Sequence, residues 1–251
     1  MTKEFIQIQF RKEIINGLLF LPDTEEPAPL VLHLNGMPGF EPEKEETRLA
    51  RFFTSKNYAY FAFDYVGVRQ STGLFEYIYS QENINLVLSK LVHHPRIDPS
   101  RIGLLGESFG GAMALCHTSR DDRIRCLAIR SPVYDTEEIP KMKIFDGLVQ
   151  LWRANKQMRF PRINLKRSFL FQSRHYNPMK QAIHLQCPIR IITGDKDEII
   201  PVEKIEKLYS KIPERIDKEM KIVPGANHKF SKRKDFEIMK NYFSQFFDHC
   251  L

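Results

Sequence analysis

A serine framed by glycines stands between an apolar run and a run of helix formers in residues 101–115, RIGLLGESFGGAMAL. Glycine inside a helix or strand costs backbone entropy, so Gly106, Gly110 and Gly111 around Ser108 indicate a geometric requirement. One such requirement is a tight strand-to-helix turn with no room for side chains beside the serine. An ordinary loop rich in small residues is the alternative. Either way, this stretch predicts a strand followed directly by a helix.

Strand-like and helix-like patterns alternate along nearly the whole chain. Two alternating segments at the start predict an antiparallel edge pair. The amphipathic helix predicted at residues 235–250 places on one face Phe236, Met239, Phe243 and Phe246 or Phe247. Further strands are predicted at residues 30–35, 58–65, 101–106, 125–133, 187–195 and 218–225. Such alternation is typical of an α/β fold, a mostly parallel eight-stranded sheet with helices on both faces.

Residues 134–187 interrupt this rhythm, because they separate two strands by far more than a crossover requires. An insert of this length is usually functional, and we interpret it as a lid or cap insert within a single domain of residues 1–251. Its apolar residues are expected to form an underside facing the site: Phe145, Leu148, Leu151, Trp152, Phe160, Phe169, Leu170 and Phe171.

The basic excess of the chain lies in this insert. Residues 140–187 contain ten basic side chains and one acidic one, a formal charge of +9, whereas the whole chain carries +7. The bases either keep a lid soluble, or they draw in anionic acyl substrates or dock on an acidic surface. No nucleic-acid-binding module or basic-aromatic repeat occurs, so we expect no nucleic-acid partner.

Composition excludes several other classes. The chain is 42% hydrophobic and 27% charged, and no apolar run approaches the roughly 20 residues that span a bilayer. The first residues lack the layout of a secretory signal. The four cysteines form no CxxC pair, which predicts reduced thiols in a cytoplasmic protein with neither a metal site nor a disulfide framework. No organic cofactor is expected.

Three candidate catalytic residues each follow a different predicted strand. Ser108 comes after the strand at 101–106, the acidic stretch at residues 195–198 stands at the end of the strand at 187–195, and His228 comes after the last strand. Sites in α/β sheets lie beyond the carboxyl ends of the strands, so we expect these side chains to meet. A serine hydroxyl becomes a good nucleophile when an imidazole accepts its proton, and an acid orients the imidazole. Asp195 and Asp197 are the two candidate acids, and the alternative role of Asp195 is to cap the turn.

The same turn can stabilise the oxyanion of an attacked carbonyl. The backbone N–H of Phe109 follows the serine, and a second donor is expected from the glycine-containing loop HLNGMPGF at residues 33–40. Removing one such donor typically lowers the rate by two to three orders of magnitude.

The motifs HLNGMPG, DYVGVRQSTG, GESFGG and GDKDEIIP, with GANH beyond, make the chain resemble a serine-dependent α/β-hydrolase over nearly its whole length. The serine, acid and histidine also occur in that superfamily's chain order. The resemblance implies the α/β-hydrolase fold, Asp197 as the acid, and the backbone N–H groups of Met37 and Phe109 as oxyanion donors. Arg69 stands in the loop written DxRGxGxS in the family, where a small residue is common; it either narrows the pocket or supplies a cation.

The remaining conspicuous residues have structural interpretations. His33 is expected to brace the oxyanion loop, and Cys116 is expected to be a packing residue. Surface positions are predicted for His93, His94 and the carboxylate pairs Glu45–Glu46 and Glu137–Glu138.

These observations favour hydrolysis of a carboxylic ester through an acyl-enzyme, with a small acyl ester, anionic or neutral, as the partner. A thioesterase and a small acyl-peptide hydrolase are alternatives. The prolyl oligopeptidase family uses the same machinery on peptides but carries a β-propeller domain, for which 251 residues leave no length. The alternative of another class is a non-catalytic ligand-binding protein on this fold. Substrate-binding residues remain unassigned, and the chain is compatible with a monomer or a homo-oligomer.

Overall fold

The computed structural model describes residues 1–36, 43–141, 150, 154–155, 157–160 and 163–251. Eight strands form one sheet, in the order β1-β2-β4-β3-β5-β6-β9-β10, and two more form a separate antiparallel hairpin, β7-β8. The strands are β1 (Thr2–Phe10), β2 (Glu13–Leu21), β3 (Ala28–Leu34), β4 (Ala59–Asp64), β5 (Ile97–Glu107), β6 (Ile124–Arg130), β7 (Gln157–Phe160), β8 (Ile163–Lys166), β9 (Ile189–Gly194) and β10 (Lys218–Val223).

The strand directions match the sequence prediction. β1 and β2 are antiparallel at one edge, β2 is antiparallel to β4, and every pair from β4 to β10 is parallel. The predicted mostly parallel eight-stranded sheet is therefore confirmed. Because parallel strands end at the same edge, the segments that follow β3, β4, β5, β6, β9 and β10 leave the sheet on one side.

The described helices are α1 (Glu43–Thr54), α2 (Tyr77–Leu91), α3 (Phe109–Thr118), the single turns α4 (Phe169–Gln172) and α5 (Pro178–Gln181), α6 (Val202–Tyr209) and α7 (Arg233–Cys250). Short 3₁₀ segments occur at Thr136–Lys141 and Ala182–His184. Within the described part of the chain, no helix combines the length and the apolar character that crossing a membrane would need.

Two apolar layers enclose the sheet. Helices α2, α3 and α6 bury their apolar side chains against one face, and α1 and α7 cover the other. The predicted apolar face of the last helix is confirmed by the burial of Phe236, Met239, Phe243, Phe246 and Phe247. Neighbouring strand residues alternate between the layers, so Leu104 packs in the first and Leu105 in the second.

The insert between β6 and β9 contains a hairpin that the sequence did not predict. Strand β8 pairs with the loop after β4: Asn164 donates its N–H to the carbonyl of Gly67 at 2.8 Å, Phe75 to that of Asn164 at 2.6 Å, and Lys166 to that of Phe75 at 3.0 Å. Main-chain hydrogen bonds thus fix this part of the insert to residues 67–75.

The expected apolar underside of the insert is found only in part. Phe169 is fully buried, whereas Phe171 is 61% exposed. Residues two apart on a helical turn point in different directions, so α4 can bury only one of these rings. Phe145, Leu148, Leu151 and Trp152 lie outside the described residues, as do the side chains of Phe160 and Leu170.

Candidate active site

Ser108 occupies a strained turn between β5 and α3. Its backbone has φ 49° and ψ −115°, a left-handed conformation that is costly for a residue with a side chain. The turn is held on both sides, because the Ser108 N–H donates to the carbonyl of Arg130 at 2.9 Å and the Ser108 carbonyl accepts from Val133 at 3.0 Å. The Ser108 side chain precedes the N-terminus of α3 and accepts no capping hydrogen bond from the described N–H groups of that helix. The sharp turn predicted around this serine is therefore confirmed.

Two of the framing glycines allow close approach of main chain. A Cβ on Gly110 would lie 2.0 Å from the carbonyl oxygen of Leu34, and one on Gly106 would lie 2.8 Å from that of Gly110. Any side chain at these positions would push α3 away from β3 and β5. The glycines thus let the helix start directly beside the strands, and this holds Ser108 at the sheet edge.

Asp197 and His228 are in direct contact, on the segments after β9 and β10. The Nδ1 atom of His228 lies 3.0 Å from Oδ1 and 2.9 Å from Oδ2 of Asp197. The Asp197 side chain is fully buried and that of His228 is 8% exposed. Since Nδ1 faces the acid, Nε2 is the ring nitrogen that remains to exchange a proton with another group.

The surroundings keep Asp197 ionised. Burial by itself favours the neutral acid, but the hydrogen bond and charge of His228, the N–H of Ile200 and the hydroxyl of Ser131 outweigh it and lower the pKa of Asp197. The N–H groups of Ile199 and Ile200 donate to Oδ1 at 3.0 and 2.8 Å. An ionised acid at Nδ1 can hold the tautomer and stabilise the imidazolium form.

Asp195 has a different role. Its Oδ1 accepts the N–H of Gly225 at 2.6 Å and so joins the turns that follow β9 and β10. This is the turn-capping alternative considered for Asp195, and the contact to His228 belongs to Asp197.

The predicted oxyanion donors are only partly described. Phe109 is the first residue of α3, so its N–H has no acceptor within the helix. Its buried ring packs edge-on against Tyr65, Phe75 and Tyr77, with centroids 5.9–6.3 Å apart. Met37 lies outside the described residues.

Comparison with known proteins shows the family of the chain. A model of the prolyl oligopeptidase family matches residues 48–251, which is most of the chain. The chain belongs to the prolyl oligopeptidase family. The α/β-hydrolase assignment from the sequence motifs is thereby confirmed. The motifs indicated the superfamily, and the family model specifies one family.

Individual relatives are more distant. The uncharacterized peptidase YuxL of Bacillus subtilis (strain 168) is 25% identical over 273 residues, which cover 98% of this chain and 39% of that protein. The chain thus spans well under half the length of this relative.

Solved structures share the fold at low identity. The esterase domain of a Rhodothermus marinus protein has a TM-score of 0.74 at 16% identity and 98% coverage of both chains. Est1E from Butyrivibrio proteoclasticus, with ferulic acid bound, has a TM-score of 0.77 at 18% identity, over 96% of this chain and 98% of that one.

Arg69 departs from the α/β-hydrolase motif but has a clear partner. Its Nε lies 2.6 Å from Oδ1 of Asp64, and both side chains are largely buried. Its φ is 41°, a conformation that a glycine would adopt without strain. The positive charge is therefore paired with Asp64 at the end of β4.

The charge of the insert is partly neutralised by nearby acids. Lys166 pairs with Glu76 at 2.5 Å, Lys180 with Glu137 at 2.5 Å and Lys141 with Glu138 at 2.6 Å. These acids lie outside residues 140–187, so the formal charge of +9 overstates the local field. Glu137 and Glu138, for which surface positions were predicted, thus pair with two lysines of the insert.

The ends of β5 and β6 carry a buried ion pair that was not predicted from the sequence. Nη2 of Arg130 lies 2.5 Å from Oε2 of Glu107, and both side chains are 3% exposed. Oε1 of Glu107 lies 3.0 Å from Nε2 of His33, whose Nδ1 contacts the Tyr60 hydroxyl. His33 thus braces the end of β3 through these contacts. The available signal was a pair of opposite charges at the ends of two adjacent apolar strands.

Other candidates play no part in this arrangement. Burial raises the pKa of the Cys116 thiol, which disfavours the thiolate that a nucleophile needs. His94 contacts Glu4 near the surface. Among the residues that the structure describes, no group of three or more His, Cys, Asp or Glu side chains could hold a metal ion.

Proposed function

We propose that the chain is a serine hydrolase that cleaves a carboxylic ester, with Ser108 as nucleophile, His228 as general base and Asp197 as the orienting acid. The observation that carries the proposal is the buried Asp197–His228 contact at the edge of the sheet where Ser108 sits in its strained turn. Est1E, which binds ferulic acid, and the Rhodothermus marinus esterase domain support ester chemistry on this fold.

The reaction proceeds in two halves. The Ser108 Oγ attacks the ester carbonyl carbon while Nε2 of His228 accepts the hydroxyl proton. The C–O bond to the leaving group then breaks, the alcohol takes the proton from His228, and the acyl group remains on Ser108. Water attacks this acyl-enzyme, again giving its proton to His228, and the carboxylic acid leaves as the Ser108 hydroxyl re-forms.

Two backbone groups would stabilise the tetrahedral intermediate in each half. The N–H of Phe109 is available at the first position of α3, and the N–H of Met37 is the second donor implied by the family motif. The negative charge of Asp197 compensates the imidazolium cation that forms on His228.

We propose that residues 134–187 act as a cap insert within this single domain. The docking of β8 on residues 67–75 and the buried ring of Phe169, 6.0 Å from that of Phe109, support this role. The insert therefore lies against the residue whose N–H is proposed to hold the oxyanion.

Membership in the prolyl oligopeptidase family favours a second candidate, hydrolysis of small acyl-peptides. The decisive comparison is kcat/KM for an alkyl ester, a thioester and a peptide amide of the same acid. We expect turnover of the ester with little or none of the amide. Faster turnover of the amide or the thioester would reassign the leaving group while retaining the same three residues.

Covalent labelling tests the nucleophile directly. A fluorophosphonate probe should label the wild-type protein once, and Ser108→Ala should abolish the label. Ser119→Ala is the matched control, because Ser119 caps the other end of the same helix, and it should label like the wild type. Labelling that survives Ser108→Ala would contradict the proposal. Labelling without turnover of any ester, thioester or amide would favour the ligand-binding alternative.

A further inference from the structure

The end of β6 contacts all three segments that carry the proposed catalytic residues. The carbonyl of Arg130 accepts the N–H of Ser108 at 2.9 Å. Nη1 of Arg130 donates to the carbonyl of Lys229, the residue after His228, at 3.2 Å. The next residue, Ser131, donates the hydroxyl hydrogen bond that helps to keep Asp197 ionised. This short segment is therefore positioned to set the spacing of the site.

The Arg130 guanidinium is held in place by a second set of contacts. Nη2 lies 2.5 Å from Glu107, which directly precedes Ser108 in the chain. Glu107 and Arg130 are also paired in the β5–β6 register. The guanidinium lies 5.8 Å from the ring of Phe230, and its Nη1 lies 3.6 Å from the sulfur of Met239 in α7. One side chain thus joins the residue before the serine to the residues after the histidine.

We infer that Glu107 and Arg130 are positioning residues that fix the distance between Ser108 and His228; this inference rests on the proposed function. The planar guanidinium presents donors in a rigid fork, so it can bond the Glu107 carboxylate and the Lys229 carbonyl at the same time. Placement of reacting groups is critical, since a misplacement of about 1 Å can lower a rate by about 100-fold.

Stability alone does not account for a charged pair at this place. Both side chains are 3% exposed, and removing two charges from water costs more than their attraction returns unless the geometry is very good. Replacement of such a pair by neutral residues of similar size is often neutral or stabilising. A neutral aliphatic chain, however, cannot donate to the Lys229 carbonyl. The contribution of the charged pair is therefore to hold the main chain next to Ser108 and His228 in place, more than to stabilise the fold.

The test separates geometry from stability with two variants. Arg130→Met leaves Glu107 charged and buried without its cation, so Tm should fall together with kcat. The double variant Glu107→Gln/Arg130→Met removes both charges, so Tm should return toward the wild-type value. If the pair positions the site, kcat of the double variant stays about 100-fold below wild type while KM is unchanged.

Arg123→Met is the matched control. Arg123 directly precedes the first residue of β6 and pairs with Asp121 at 2.5 Å. It should leave kcat unchanged. A double variant that regains both Tm and kcat would overturn the inference, and so would an equal loss of kcat in Arg123→Met.

Fluorophosphonate labelling distinguishes this inference from the proposed function. If the wild type is labelled at Ser108 and the double variant is labelled more slowly, both hold. If the two proteins are labelled at the same rate, the positioning role is wrong and the proposed function stands. A wild type that is not labelled at Ser108 overturns the proposed function and this inference together.

Discussion

Nδ1 of His228 faces both carboxylate oxygens of Asp197 at 3.0 and 2.9 Å, although 30 residues separate the two in the chain. The contact forms because β9 and β10 are adjacent parallel strands, with Gly194 opposite Val223 in their register. Each residue follows its strand by a few positions, so the pairing of the strands brings the acid to the imidazole.

Asp197→Asn should lower kcat by about 10⁴-fold while leaving the fold intact, because the amide selects the wrong imidazole tautomer. Asp195→Asn is the matched control, and it should have a much smaller effect since Asp195 bonds the N–H of Gly225. Steady-state kinetics on one ester, with Tm as the check on folding, measures both. A reversed order of the two effects would contradict the roles assigned to the two aspartates.

Ser108→Gly should be more stable than Ser108→Ala. At φ 49° the alanine keeps the backbone strain and the glycine releases it, which is worth on the order of 1 kcal/mol, or about 2–4 °C in Tm for a chain of this size. At Ser119, where φ is −65°, the order should reverse, with alanine more stable than glycine. Equal Tm values for the two Ser108 variants would show that the turn is not strained.

Gly110→Ala should destabilise the protein far more than Gly111→Ala. The new Cβ would lie 2.0 Å from the Leu34 carbonyl oxygen in the first variant and 3.1 Å from a Pro132 side-chain atom in the second. Backbone of a central strand cannot move aside, so overpacking here should reach or exceed the usual cost of about 1–3 kcal/mol. Thermal unfolding checks the prediction, which fails if the two variants unfold at the same temperature.

Salt should reveal whether the basic insert attracts substrate. If it does, an ester with a distal carboxylate should have a higher kcat/KM than its neutral counterpart at low salt, and the advantage should vanish once the screening length falls to about 10 Å near 0.1 M. The pairing of Lys141, Lys166 and Lys180 with acids predicts that any advantage is small. A ratio that does not change with salt would leave these bases the role of keeping the insert soluble.

Glu76→Gln should loosen the insert. The buried carboxylate accepts from Lys166 at 2.5 Å and from Ser168 at 2.9 Å, and these contacts outweigh burial and lower the pKa of Glu76. A lowered pKa means that this stabilisation is present above the usual carboxyl range and is lost as the pH falls through the lowered value.

Limited proteolysis within residues 163–172 measures the loosening at neutral pH. Glu82→Gln is the control, because Glu82 lies in the helix that begins just after Glu76 and forms an exposed pair with Arg11. Equal cleavage rates for wild type and Glu76→Gln would show that the carboxylate does not hold the insert.

The sequence predicted the elements whose signals are local. The turn at Ser108 needs glycines next to it, and the order of strands and helices follows from hydrophobic periodicity. The approach of Asp197 to His228 could also be predicted, since both follow parallel strands.

Features that depend on register were not predictable in this way. The partner of Arg130 is decided by the pairing of β5 with β6, and nothing within residues 124–130 identifies Glu107. The hairpin β7-β8 has strands of four residues, too short for a periodic signal, and its position depends on the loop at residues 67–75. Arg69 likewise contacts Asp64 from a loop position with a positive φ, which no local sequence pattern indicated.

The main-chain pairing of β8 with residues 67–75 has a consequence for exchanging parts between relatives. Backbone hydrogen bonds do not depend on side-chain identity. The side chains of residues 163–166 can therefore change while the main-chain pairing with residues 67–75 is retained. Consider a chimera that takes its insert from a relative. It should fold more readily if it also takes that relative's segment corresponding to residues 65–76 than if it takes the insert alone. We therefore expect the two segments to be exchanged between relatives as one unit.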